Sequence, residues 1–300
     1  MNLLMNNQDV IIFKVEAEGE SLEEFLLDNK ISGRLFRRLY RVRNIFVNGE
    51  FKRKDRSLKK GDIVSIKIED EEENILPEPI PLEIIYEDMD LLVLNKQPFM
   101  VVHQTKSHQK NTLSNGISYY FKTKEINRKI RFVNRLDMDT SGILLVAKSP
   151  FAHQQMALQF ENNEVVKRYI VVVAGIVKKD QDIIDLPIGR EEEKSIKKTV
   201  TNKGKEAITK YKVIERYKEA SLLDVQILTG RSHQIRVHLN HMGHPIIGDT
   251  LYYKSSKYIK RQALHSHYLK AKLPRSKEDI EFKAPIPNDI QKLIDHFKSY

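Results

Sequence analysis

The spacing of apolar positions along this chain changes several times, and each change marks an element. Ser21 precedes Glu24 at capping-box spacing and opens a helix carrying Leu22, Phe25 and Leu26. Ser32 can cap a second helix, in which Arg34, Arg37, Arg38 and Arg41 recur along one face while Leu35 and Leu39 lie on another. Short strands follow: Ile45-Phe46-Val47 ends at Asn48-Gly49, a hairpin signal, and Ile63-Val64-Ser65-Ile66 follows Gly61-Asp62. Further on, Leu91-Leu92-Val93-Leu94 and residues 142–147 read as buried strands. Ser149-Pro150 opens a helix in which Ala152, Met156 and Phe160 recur every four residues. A strand at 169–173 ends at Ala174-Gly175, and Leu223, Val225 and Ile227 alternate with Asp224 and Gln226 as in a strand with one buried face. Ile235, His238, Leu239 and Met242 trace one side of a helix stopped by Gly243. Strands outnumber helices without regular βαβ alternation, which predicts an α+β fold around a mixed, mainly antiparallel sheet.

One segment breaks these patterns. Glu69-Asp70-Glu71-Glu72-Glu73 is followed by Pro77, Pro79 and Pro81, a charge run and proline cluster expected neither to pack nor to continue a helix. It reads as a linker, 69–81, between a small N-terminal α/β domain at 14–68 and a larger domain at 82–300. The length of 300 residues agrees with two domains. With 40% hydrophobic and 31% charged residues and no apolar run of the roughly 18 a membrane span needs, a soluble, cytoplasmic protein is expected. Asn6, Asn7 and Asp9 interrupt the N-terminal apolar residues, unlike a secretory signal. The absence of cysteine excludes disulfides, thiolate nucleophiles and cysteine-bound metal. A net charge of +10 favours a polyanionic partner, and twelve Lys and Arg between Lys30 and Lys60, against Glu50 and Asp55, concentrate it on the N-terminal part.

Candidate chemistry lies in three places. Asp137, within Asn134-Arg135-Leu136-Asp137-Met138-Asp139-Thr140-Ser141-Gly142, stands where the chain turns into a strand, so a rigid backbone can present its carboxylate to a cleft. Asp139 competes for that position, and either aspartate can instead satisfy amides of the turn. The second place is Thr229-Gly230-Arg231-Ser232-His233-Gln234-Ile235-Arg236-Val237-His238, continuing through His241 and His244 to Gly248-Asp249. Its histidines invite a metal reading, but they lack the HExxH pattern and His238 shares a face with core residues, so no metal is expected. Arg231 and Arg236 suit carboxylate or phosphate better, through the bidentate guanidinium. Third, Tyr169 at a strand start offers a flat ring to a base and a hydroxyl for hydrogen bonding, or simply packs on the sheet.

Taken together and in this order, the motifs resemble a known family. From about residue 82 onward the chain is similar to RluA-type pseudouridine synthases. The matching residues are Tyr86-Glu87-Asp88, the segment 91–96, Arg135-Leu136-Asp137 with Thr140-Ser141-Gly142, Lys167 with Tyr169, Gly230-Arg231 with His233-Gln234-Ile235-Arg236, Gly248-Asp249, Leu264-His265 and Ala284-Pro285. Residues 14–68 resemble the S-four-like (αL) RNA-binding domain. The resemblance implies a cofactor-independent isomerase that converts uridine to pseudouridine in structured RNA, with ribosomal RNA foremost and transfer RNA as the alternative. It makes Asp137 the nucleophile, Arg236 its ion-pair partner, Tyr169 the tyrosine against a flipped base, and Arg135 the arginine that fills the gap left in the RNA stack. It lays Arg34, Arg37, Arg38 and Arg41 against RNA, with Arg231 as a further RNA contact. A monomer is expected, since neither a long heptad pattern nor an apolar edge calls for a partner. A rival of another class is an RNA-binding assembly factor on the same fold with dispensable catalysis. Two departures stand out: Asn134 replaces the usual histidine, and Lys96-Gln97-Pro98-Phe99 replaces Lys-Pro-x-Gly.

Overall fold

The computed structural model describes residues 9–69, 71–105, 108–190, 192 and 195–299; Asp70 of the acidic run and Asn6 and Asn7 lie outside them. The N-terminal part folds as β1 (Val10–Lys14), α1 (Leu22–Asp28), α2 (Gly33–Arg41), β2 (Ile45–Val47) and β3 (Ile63–Lys67), with an antiparallel sheet in the order β1-β3-β2. Ser21 and Glu24 close both bonds of the capping box, and the Ser32 hydroxyl accepts the Leu35 amide. Leu22, Leu26, Phe36, Ile45 and Val64 share one buried core. Asn48 and Gly49, at φ 50° and 82°, make the tight turn read from the sequence, closed by paired bonds between Val47 and Glu50. The strand that pairs with β2 is nevertheless β3, because the chain after the turn makes only a single bridge. Strand β1 begins ahead of the expected boundary at residue 14.

The remainder comprises β4 (Ile84–Glu87), β5 (Leu91–Lys96), α3 (Leu113–Thr123), β6 (Arg131–Phe132), β7 (Ser141–Ala147), α4 (Pro150–Glu161), β8 (Val166–Ala174), β9 (Gln181–Asp185), β10 (Ile188–Gly189), β11 (Thr199–Val200), β12 (Ile208–Arg216), β13 (Ala220–Ile227), α5 (Gln234–His241), β14 (Leu264–Lys272), β15 (Asp279–Lys283) and α6 (Asn288–Lys298). One ten-stranded sheet runs β4-β5-β7-β14-β8-β13-β12-β9, with β6 beside β7 and β15 beside β14. The fold is thus α+β with a mixed, mainly antiparallel sheet. Strand β7 is apolar throughout because both its faces are covered: Ile143, Leu145 and Ala147 pack with Ala152 and Met156 of α4, while Leu144 and Val146 pack with Leu113, Ile117 and Phe121 of α3.

Two halves of this sheet meet at β7 and β14, its one parallel pairing, through only two rungs: His265 opposite Ser141 and Ser266 opposite Gly142. Gly142 has φ 113°, and a Cβ there would lie 2.1 Å from the Ser266 carbonyl oxygen, so the close approach requires glycine. Beside it, the fully buried His265 ring bonds Ser141 Oγ at 2.9 Å.

The acidic, proline-rich segment packs, contrary to expectation. Asn115 and Ser118 on α3 donate to the carbonyls of Leu76 and Ile75 at 2.7 Å, and Glu73 accepts the Ile130 amide at 2.7 Å. Prolines free the strap from helix or sheet, so its carbonyls accept from side chains on α3 instead. The N-terminal unit is likewise seated on α4. Phe151 joins its core, Gln154 and Gln155 donate to the Lys30 carbonyl at 2.8 and 3.0 Å, and the Ser32 amide donates to Gln154. No helix among the described residues is long and apolar enough to cross a membrane.

Burial pushes the His265 imidazole down to about 4, opposed by the Ala284 carbonyl and reinforced by Arg261. Unfolded, the ring takes up its proton near pH 6.5. Between those values the unfolded chain binds the extra proton, so stability is lost as pH falls from 6.5 toward 4. Urea unfolding across that range should show the loss, and His265→Gln should lessen it, the remainder including His267, which burial also lowers to about 4.

Candidate active site

Asp137 lies in the turn that enters β7, with its side chain about one-third exposed. Its Oδ2 accepts Nη1 of Arg236 at 2.8 Å. Arg236 comes from the first turn of α5 and is itself buried, and its other edge forms a fork on Asp249: Nε to Oδ2 at 2.7 Å and Nη2 to Oδ1 at 2.8 Å. Asp249 is completely buried, and its Oδ1 also accepts the Leu251 amide at 3.1 Å. Burial by itself would lower the Arg236 pKa; Asp249 first and Asp137 second outweigh it and raise it. The guanidinium is therefore a permanent cation with one face fixed and one presented to Asp137. Tyr252 lies under it, with its ring centroid 5.1 Å from Cζ.

His233 completes this side of the site. It precedes α5 at φ 58°, a left-handed conformation rare outside glycine, with Nδ1 2.9 Å from the Tyr252 hydroxyl and Nε2 3.9 Å from Asp137 Oδ2. Burial, with Arg236 adding to it, holds its pKa below the usual value despite Asp137. Tyr169 is buried on β8 opposite Ser266 of β14. Burial pushes its phenol up to about 12; the Ser266 hydrogen bond opposes this and the charge of Asp137 adds to it. At neutral pH it is a protonated ring and a hydroxyl donor rather than a base.

The turn itself is gripped from below. Lys96, at the end of β5 and almost wholly buried, donates to the carbonyls of Met138, Gln97 and Met100 at 2.8, 2.9 and 3.1 Å. Burial lowers its pKa to about 7, against the pull of Asp139. The next carbonyl, that of Asp139, accepts Nη1 of the fully buried Arg261 at 3.0 Å. Arg261 in turn forks onto Asp289 of α6 at 2.7 and 3.0 Å. Gln262 donates to Thr140 Oγ1 at 3.2 Å. The Asp139 carboxyl is raised by burial against Lys96, Arg236 and Arg261, and its buried Oδ1 has no hydrogen-bond partner.

The other residues singled out in the sequence are spread more widely. Arg135 is exposed two positions before Asp137. Arg231 is exposed, with Nε bonded to the Glu206 carbonyl at 2.8 Å. On α2, Arg34, Arg37, Arg38 and Arg41 are all exposed, and Arg38 also lies 3.6 Å from Glu71 of the strap. Asn134 does not face outward as an RNA contact: its Oδ1 accepts the Leu145 amide at 2.8 Å and its Nδ2 donates to the Ile143 carbonyl at 3.2 Å. The substitution thus contributes an extra rung to β7. Phe99 occupies the missing glycine's place at φ 61°. His238, the buried histidine of the metal reading, has its two ring nitrogens on Thr209 Oγ1 and the Leu186 carbonyl, both at 2.9 Å. Among the described residues no group of three or more metal-ligating side chains converges.

This fold and arrangement define an enzyme class, and comparison with known proteins agrees. The family of RNA pseudouridylate synthases matches residues 90–241. The chain belongs to that family, in its RluA-type branch, and is an RNA pseudouridine synthase, an isomerase. It is 41% identical over 250 residues to the RNA pseudouridine synthase YjbO of Bacillus subtilis, covering 83% of this chain and 88% of that one. It is 32% identical over 285 residues to the ribosomal large subunit pseudouridine synthase D of Vibrio cholerae, covering 90% of this chain and 83% of the other. Among solved structures, human RNA pseudouridylate synthase domain containing 1 superposes with a TM-score of 0.58 at 25% identity, covering 74% of this chain and 97% of that one.

The grip on the turn gives a testable outcome. Arg261→Lys keeps the charge but loses the fork, so it should cost about 3 kcal/mol in urea unfolding. It should also slow single-turnover pseudouridine formation by roughly tenfold or more, because the turn carrying Asp137 loosens.

Proposed function

We propose that this enzyme isomerises a uridine in large-subunit ribosomal RNA, using Asp137 as the nucleophile on a uridine turned out of the RNA stack. The observation that carries this reading is the Arg236 hydrogen bond to Asp137 at 2.8 Å, at a position open enough for a substrate. Breaking an N-glycosidic bond and rejoining the uracil through carbon needs a charged nucleophile in a fixed orientation, with no redox partner. Arg236 holds the Asp137 carboxylate in a fixed orientation through its hydrogen bond. The ring of Tyr169 offers a surface for the extracted base, and its hydroxyl can donate a hydrogen bond. Extraction of the base from the stack costs about a few kcal/mol, least where the RNA is already single-stranded.

Ribosomal RNA is favoured because relatives from Vibrio cholerae and Blochmanniella floridana, 32% and 36% identical, are named ribosomal large subunit pseudouridine synthase D. We assign RNA binding to an S-four-like unit at the N-terminus, whose exposed arginines on α2 engage backbone phosphates, with Arg135 and Arg231 adding contacts near the site. Seating of that unit on α4 would hold the arginine face at a constant distance from the turn. Against the assembly-factor reading, Asn134 contributes hydrogen bonds to β7 rather than leaving the turn unsupported.

Asp137→Asn preserves shape and removes the charge. Pseudouridine formation in an unmodified large-subunit ribosomal RNA transcript should fall by at least roughly 10³-fold, with unchanged RNA affinity; undiminished product would refute the role. Replacing Arg34, Arg37 and Arg41 by Ala should weaken RNA binding and reduce the slope of log K against log salt by about 2 to 3. An unchanged slope would remove α2 from the interface.

A further inference from the structure

We propose that Phe99 is an RNA-contact residue of this enzyme, its ring stacking on a nucleobase beside the uridine that is modified. Phe99 adopts φ 61°, a conformation that disfavours a bulky side chain and in which glycine is at ease. The ring gains nothing from the fold in return: it is 56% exposed and belongs to none of the hydrophobic cores. A strained residue that the interior does not reward points to a role outside the folded chain.

Its location says which role. The loop carrying Phe99 is fastened to the turn after Asp137 by two hydrogen bonds that meet on the Met138 carbonyl. Lys96 bonds the carbonyls of Gln97, Met100 and Met138 together, and the Met100 amide donates to the Met138 carbonyl at 3.3 Å. Met138, next to Asp137, is itself 47% exposed. Two large apolar side chains therefore stand open to solvent on backbone held beside the candidate nucleophile, and Arg135, two positions before it in the chain, is exposed as well. The enzyme's substrate is RNA. Extraction of one base leaves its neighbours without a stacking partner, and an aromatic face can replace that partner whatever the neighbouring base is. Glycine at this position could not.

The inference rests on Asp137 marking the site, and the experiment separates the two claims. The chain contains no tryptophan, so Phe99→Trp introduces a single fluorophore that keeps a stacking face. Titration with an unmodified large-subunit ribosomal RNA transcript should quench its emission, and should do so equally when Asp137→Asn is added. A control tryptophan at Ile183, exposed on β9, should be quenched far less. In parallel, Phe99→Gly should raise KM on the order of tenfold, the loss falling in KM rather than kcat. Its unfolding midpoint should not drop, because strain is relieved. Equal quenching at both tryptophans, or an unchanged KM for Phe99→Gly, would overturn the proposal. Turnover surviving Asp137→Asn would instead overturn the nucleophile and leave the stacking result to stand by itself.

Discussion

The buried guanidinium of Arg236, forked onto Asp249 and reaching Asp137, is the interaction on which the rest of the site depends. A buried cation is tolerable only where its partners are close and well oriented, and a completely buried carboxylate only where a cation and amides satisfy it. Asp249 and Arg236 meet these conditions for each other. One guanidinium nitrogen is left to orient a carboxylate that remains accessible. Arg236 thereby joins Asp249, 13 positions on, to Asp137, 99 positions back.

The same economy recurs beneath the turn. Lys96 holds the Met138 carbonyl and Arg261 the next one, so consecutive peptide groups are fixed by buried basic side chains anchored in different elements. Arg261 transmits the position of α6 through Asp289, and Lys96 that of β5. The turn sits at the narrow junction where β7 and β14 share two parallel rungs, a junction that Gly142 alone makes close enough. The turn carrying Asp137 and the sheet seam are therefore one structural unit, and loosening either should disturb the other.

Much of this was legible in the sequence, for physical reasons. The capping box of α1, the four-residue spacing of α4 and the alternation of β13 are local signals, and the structure follows them closely. The direct bond from Arg236 to Asp137 was implied by the family resemblance and not by any local signal, the two lying 99 positions apart. Arg261 was missed because, between Lys260 and Gln262, nothing local distinguishes a buried arginine from a surface one. Asp249 was noted without its task, since its bonds are made by a helix that begins fifteen positions earlier. Helix α3 escaped notice because Asn115, Gly116 and Ser118 look like loop residues; they are buried because the acidic strap lies across them. The strap was expected not to pack for a related reason: charge and proline report how a segment cannot be regular, not what it can lie against.

If the Arg236 bond to Asp137 is what aims the carboxylate, then Asp249, which fixes the other edge of Arg236, affects the reaction through that orientation and not through RNA binding. Single-turnover pseudouridine formation by Asp249→Asn, with RNA affinity measured on the same preparation, tests it most directly. The account predicts a rate lowered by about a hundredfold at saturating RNA, with affinity preserved. An unchanged rate, or a loss confined to affinity in a folded variant, would contradict it.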